Sequence, residues 1–264
     1  MITNKSKREP RGLTQSWFIQ TFICLCCSFI LERTAIASDQ ASGNDVQIQT
    51  TAGQLLGEEK ASRFKKVLTP DEPISWEVYL PKNDSTEAPG LFVYVSPMST
   101  GRIDSRWREV MDQQNLIYIA ANKSGNKILT IRRMVLATLG VTALGQRYAF
   151  DNGNINVAGF SGGGRVASRI ATQYPDVFTG ALYICGVDFW KKDKTPNVER
   201  VIQNRFVFLT GTKDFNRRET RQIQKRYIKA GAQHTKLIVV PGMAHRHPDA
   251  AYLTEAIQFL LGQD

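Results

Sequence analysis

At 264 residues, with 42% of them hydrophobic and 22% charged, the chain is long and apolar enough to bury a sizeable core, which excludes a disordered tail. Its formal charge of +10 is carried by scattered lysines and arginines with no nucleic-acid motif or basic-aromatic repeat, so it reads as a solvated cationic surface. No His/Cys cluster has metal-ligand spacing, and neither a metal nor a cofactor is expected.

Residues 1–37 read as an export signal peptide. Lys5, Lys7, Arg8 and Arg11 make a basic start, Trp17 to Leu31 an apolar stretch, and Ala35-Ile36-Ala37 a small-x-small cleavage pattern ahead of Ser38. Glu32 and Arg33 cut the stretch too short for a typical membrane span, with a retained anchor as the second reading. Cys24, Cys26 and Cys27 would leave with this leader, so that Cys185 stands alone and no intrachain disulfide is available. The expectation is a secreted or periplasmic protein in which residues 38–264 form one domain, since no linker, repeat or low-complexity block divides them.

Val46 to Thr50 is a strand-like patch, and Ser75 to Leu80 alternates polar with apolar side chains, the mark of a strand with one wet face. Pro81 to Pro89 is turn-rich. From Leu91 the pattern changes to continuous apolar runs, at Leu91–Val95 and Leu116–Ala120, with a helix predicted between them over 104–114. The spacing of Ile131, Val135, Leu139 and Thr142 predicts a longer helix over 128–150. A strand at Asn154–Ala158, a helix over 164–173 and a strand at Gly180–Ile184 come next. A strand at Arg205–Leu209, a helix over 216–230, a strand at Leu237–Val240 and a closing helix over 249–261 complete the chain. Strands apolar on both faces that alternate with helices predict an α/β fold with a doubly wound, mainly parallel sheet.

Three motifs fall just past the ends of those strands, where open α/β sheets hold their ligands. Gly159-Phe160-Ser161-Gly162-Gly163 sits between a strand and a helix and reads as a nucleophile elbow, with Ser161 on a strained turn and small residues where strand and helix nearly touch. Thr210-Gly211-Thr212-Lys213-Asp214 offers an acid, for which Asp188 competes; the second reading of Asp214 is a helix N-cap, a role Asn216 fills better. Pro241-Gly242-Met243-Ala244-His245 offers a base, for which His247, two residues on, competes, whereas His234 lies in a polar turn at the wrong end of the sheet. The order Ser, Asp, His is that of one hydrolase superfamily.

On these three motifs the chain resembles the α/β-hydrolase superfamily from about Pro89 to Phe259, and within it the small secreted esterases grouped with polyhydroxybutyrate depolymerases and feruloyl esterases. The resemblance implies a serine esterase working through an acyl-enzyme, with Ser161 as nucleophile, Asp214 as the acid and His245 as base, because the family's Gly-Met-x-His pattern falls on Gly242 to His245. It also implies an oxyanion hole from the Gly162 amide and one in the loop after Val95. There, Ser96-Pro97-Met98-Ser99 departs from the usual His-Gly, and since Pro97 has no amide hydrogen the second donor is expected at Met98, or at Ser99. Phe189 and Trp190, in the connection 186–204, are either pocket lining or loop anchors, and Arg217, Arg218, Arg221, Lys225 and Arg226 are the wet face of a helix. The expected partner is a small soluble ester, with no nucleic acid and no stable membrane partner once the signal is removed. The competing functions are a peptidase of prolyl-oligopeptidase type and a non-catalytic binding module.

Overall fold

The structure, a computed structural model, describes residues 45–189 and 195–263. Residues 1–37, read above as an export signal, and Trp190 lie outside them. Eight strands form one sheet: β1 (Asp45–Thr51), β2 (Pro73–Tyr79), β3 (Gly90–Val95), β4 (Leu116–Ala121), β5 (Ile155–Phe160), β6 (Gly180–Ile184), β7 (Arg205–Gly211) and β8 (His234–Val240). Their order across the sheet is β1-β2-β4-β3-β5-β6-β7-β8. β2 is antiparallel to both β1 and β4, and every other pairing is parallel.

Burial explains the sequence patterns. Every residue of β3, β4 and β6 is buried, because helices cover both faces there and leave no wet side to encode. β2, near the antiparallel edge, keeps its alternation. β8 is the other edge, and it begins at His234, three residues ahead of the predicted apolar run, with its first half still partly exposed.

Helices α1 (Ala52–Leu56) and α2 (Glu58–Ser62) follow β1, and α3 (Arg108–Gln113) follows a 3-10 turn at Ser105–Trp107. α4 (Thr130–Gly145) is shorter than the predicted 128–150, because backbone bonds from Arg147 and Tyr148 to the Leu144 carbonyl, both 2.8 Å, tighten its last turn and end it. α5 (Gly162–Gln173) leaves Ser161 directly. α6 (Val198–Gln203) lies in what the sequence reads as loop, started by the Asn197 side chain accepting from the Arg200 amide at 3.0 Å. α7 (Arg217–Lys229) and α8 (Ala250–Leu260) complete the set.

The sheet divides the core in two. On one face α4, α5 and α7 pack over Trp76, Val93, Ile119, Tyr183, Phe206 and Phe208. On the other, α3 and α8 cover Phe92, Tyr94, Tyr118, Leu182 and Leu209. The parallel strands therefore all point their C-terminal ends one way, and the loops from β3, β4, β5, β7 and β8 meet above that edge.

Candidate active site

Ser161 occupies φ 55, ψ −121, a left-handed conformation that a non-glycine residue adopts only when its surroundings impose it. The constraint is the sharp turn from β5 into α5. A side chain on Gly159 would strike the Gly163 carbonyl, and one on Gly163 would strike the carbonyl of Val95 in β3, so strand and helix approach as closely as they do only with hydrogen at both positions.

The Ser161 hydroxyl lies 2.8 Å from His245 Nε2, and His245 Nδ1 lies 2.8 Å from Asp214 Oδ1. Three residues from three loops are thus joined in one chain. The Asp214 side chain is fully buried and accepts from the Thr210 hydroxyl at 2.6 Å and the Asn216 amide at 3.1 Å. Burial on its own would raise the carboxyl, but the hydrogen bonds from Thr210, His245, Asn216 and Cys185 outweigh it and hold the pKa below the ordinary value. Asp214 is therefore an ionised acceptor, which puts a proton on His245 Nδ1 and leaves Nε2 free to accept from the serine.

The competing residues are engaged elsewhere. His247 Nε2 meets the Tyr94 hydroxyl at 2.8 Å, with its Nδ1 3.6 Å from Asp104. Asp188 pairs with Arg165 at 3.0 Å and Arg169 at 2.7 Å. His234 is exposed at the opposite edge, as the first residue of β8 and not in a turn. Asn216 stands at the start of α7 without capping it through its side chain, which donates instead to the Cys185 carbonyl at 2.8 Å. Phe189 packs on Tyr227 and under Arg226, whose guanidinium lies 3.9 Å from the ring centre, which makes it a loop anchor. Arg217, Arg218, Arg221, Lys225 and Arg226 are all exposed.

Gly162 opens α5, and its amide has no intrahelical acceptor. The Met98 amide donates to its neighbour Ser96 Oγ at 3.1 Å, and the Met98 side chain is 64% exposed. A residue the sequence reading passed over lies closer: a side chain on Gly162 would run into the carboxamide of Asn126, which has no hydrogen-bond partner among the described residues. Its position just beyond the C-terminal end of β4 was the available signal. Phe215 was also missed; it is 75% exposed yet stacks on the His245 ring at a centroid distance of 4.1 Å.

Among the described residues, Cys185, Asp214 and His245 form a group whose donor atoms lie within 4.8 Å of one another. Asp214 and His245 are already bonded together, and burial pushes the Cys185 thiol up, so it stays protonated and a poor metal ligand.

No family model matches the chain, and no curated protein matches it in sequence. Solved structures do match it in three dimensions. A ferulic acid esterase superposes with TM-score 0.59 at 15% identity, over 82% of this chain and 95% of that one. S-formylglutathione hydrolase from Staphylococcus aureus superposes with TM-score 0.58 at 12% identity, over 84% and 99%. A thermostable esterase gives 0.55 at 17% identity, over 73% of this chain, which spans 60% of that esterase's length.

The chain has the α/β-hydrolase fold. In α/β-hydrolase terms, Ser161 stands at the strand-to-helix elbow, Asp214 follows β7 and His245 follows β8.

Proposed function

We propose that the protein is a serine hydrolase that cleaves carboxylic esters through an acyl-enzyme intermediate. The observation that carries this reading is the hydrogen-bonded chain from the Ser161 hydroxyl through His245 to a buried Asp214, with Ser161 on the strained elbow.

Ser161 Oγ attacks the ester carbonyl carbon as its proton passes to His245 Nε2. The negative charge that develops on the carbonyl oxygen meets the free Gly162 amide at the N-terminus of α5, where the helix dipole adds to the donor. Met98 would have to leave the Ser96 hydroxyl to act as the second donor, whereas the Asn126 carboxamide already stands beside Gly162 unengaged. Collapse of the intermediate expels the alcohol, which takes the proton from His245. Water then attacks the acyl group by the same route in reverse, and Ser161 regains its proton.

The rim supports an ester bearing an apolar group. Met98, Leu129 and Phe215, each more than 60% exposed, stand on the loops leaving β3, β4 and β7. Export through residues 1–37 belongs to the same reading; no helix among the described residues is long and apolar enough to cross a membrane.

The test is a fluorophosphonate probe together with a panel of nitrophenyl esters and aryl amides. The expected result is labelling at Ser161, ester turnover, and loss of several powers of ten in kcat for Ser161→Ala with the fold intact. Absence of labelling would mark a binding module, and faster turnover of the amides a peptidase.

A further inference from the structure

A buried arginine ordinarily faces a carboxylate, because an uncompensated charge in the interior is costly. Arg133, in α4, is 3% exposed and forms no ion pair with a carboxylate among the described residues. Its guanidinium donates to three main-chain carbonyls instead: Nε to Ser124 at 2.7 Å, Nη2 to Ser96 at 2.9 Å and Nη1 to Gly162 at 3.3 Å.

Those carbonyls belong to three separate segments. Ser96 begins the loop after β3, Ser124 lies in the turn that carries Asn126 after β4, and Gly162 follows the serine. The two loops are also tied to each other, by the Asn126 amide on the Pro97 carbonyl at 2.9 Å and the Lys123 amide on the Ser99 carbonyl at 2.6 Å. One planar fork therefore ties together the loop after β3, the turn after β4 and the start of α5. Burial pushes the guanidinium down to about 10, with the nearby Tyr94 phenol acting the other way, so the group is still a cation at neutral pH.

We propose that Arg133 is a positioning residue for the transition state, one that locks the oxyanion side of the site and supplies an uncompensated positive charge beneath it; this rests on the ester-hydrolase reading above. Asp214, the carboxylate of the site, is bonded to His245, so among the described residues this guanidinium faces no anion until the substrate carbonyl becomes one. The charge then gains its partner only as the reaction proceeds, which favours the transition state over the bound ester.

The experiment compares Arg133→Met, Arg133→Gln and Arg133→Lys with the parent, all rates being expressed per fluorophosphonate-titrated site so that unfolded protein does not count. For Arg133→Met, kcat should fall about a hundredfold with KM changed by less than about threefold, and affinity for an alkylboronic acid, which forms an anionic tetrahedral adduct on serine, should fall in step with kcat/KM. Arg133→Lys, which keeps the charge and part of the bonding, should recover about tenfold of that loss. Should Arg133→Met fail to fold, Arg133→Gln replaces it in the comparison. The proposal is overturned if kcat stays within about threefold, if KM rises by the factor that kcat/KM falls, if boronate affinity is unmoved, or if Lys does no better than Met or Gln. A parent protein that takes the label and turns over esters keeps any such failure on Arg133 alone; a parent that does neither removes the ester-hydrolase reading first.

Discussion

Holding Ser161 at φ 55 costs about 1–3 kcal/mol of local strain, which the surrounding packing of β5 and α5 sustains. The return is a hydroxyl lifted clear of the sheet and, one residue on, an amide that the helix cannot use. Asn126 completes that small space from a different loop. Asn126→Ala should lower kcat by about a hundredfold while leaving KM and the melting temperature nearly unchanged, as expected for a donor that matters only once the oxygen is charged. Steady-state kinetics on a soluble nitrophenyl ester checks it, and a rise in KM with kcat unaltered would make Asn126 a substrate-binding residue instead. Nothing in the residue type marks Asn126 along the chain, since turns are full of asparagine; its significance comes from Gly162 having no side chain to keep it away.

The loop from β8 to α8 carries His245, and the packing that steadies it lies two residues further on. His247 bonds Tyr94, packs at a tilt on Trp107 at a centroid distance of 5.0 Å, and faces Asp104, while Trp107 Nε1 reaches the Pro248 carbonyl at 3.5 Å. Phe160 packs on both imidazoles, its ring centre 4.9 Å from that of His245 and 4.6 Å from that of His247. Burial lowers the pKa of His247; Asp104 pulls it back up, and Arg106 adds to the lowering. The folded protein therefore binds this proton less readily than the unfolded chain does. Stability attributable to His247 is present in full above the ordinary histidine value of about 6.5 and is lost as pH falls below it through the lower folded value. Asp104 does not titrate in that window, since its bond to Arg106 holds it at about 2. Urea unfolding at pH 8, 6.5 and 5 should show this decline, and His247→Gln should flatten it; an unchanged slope in the variant would assign the decline to other groups.

Across the whole molecule, the site depends on eight strands keeping register, because its parts sit at the ends of five of them. Phe206, fully buried in β7, has Tyr227 of α7 5.1 Å away and Tyr183 of β6 6.3 Å away, measured between ring centres. Phe206→Ala should cost about 3–5 kcal/mol, and thermal unfolding should report it as a drop of roughly 2–4 °C in Tm for each kcal/mol. The folded fraction should keep the parental kcat, since the ring contacts of Phe206 among the described residues, Tyr183 and Tyr227, do not include Ser161, Asp214 or His245. A fall in kcat at a temperature where the variant is fully folded would mean that core packing tunes the site as well.

Strand positions, the parallel order and the elbow could all be read from the chain, because burial on both faces writes itself as unbroken apolar runs and the strand-to-helix approach writes itself as glycine. Both constraints leave a local mark in the chain, even where the atoms that impose them, such as the Val95 carbonyl against Gly163, lie on another strand. The choice between His245 and His247 is of another kind: the two differ by the direction an irregular loop turns, and that direction is set by Tyr94, Asp104 and Trp107, more than a hundred residues earlier. Arg133 is the extreme case. Its partners are backbone carbonyls, which every residue possesses, so no side-chain pattern could have announced that three distant segments would close around one guanidinium.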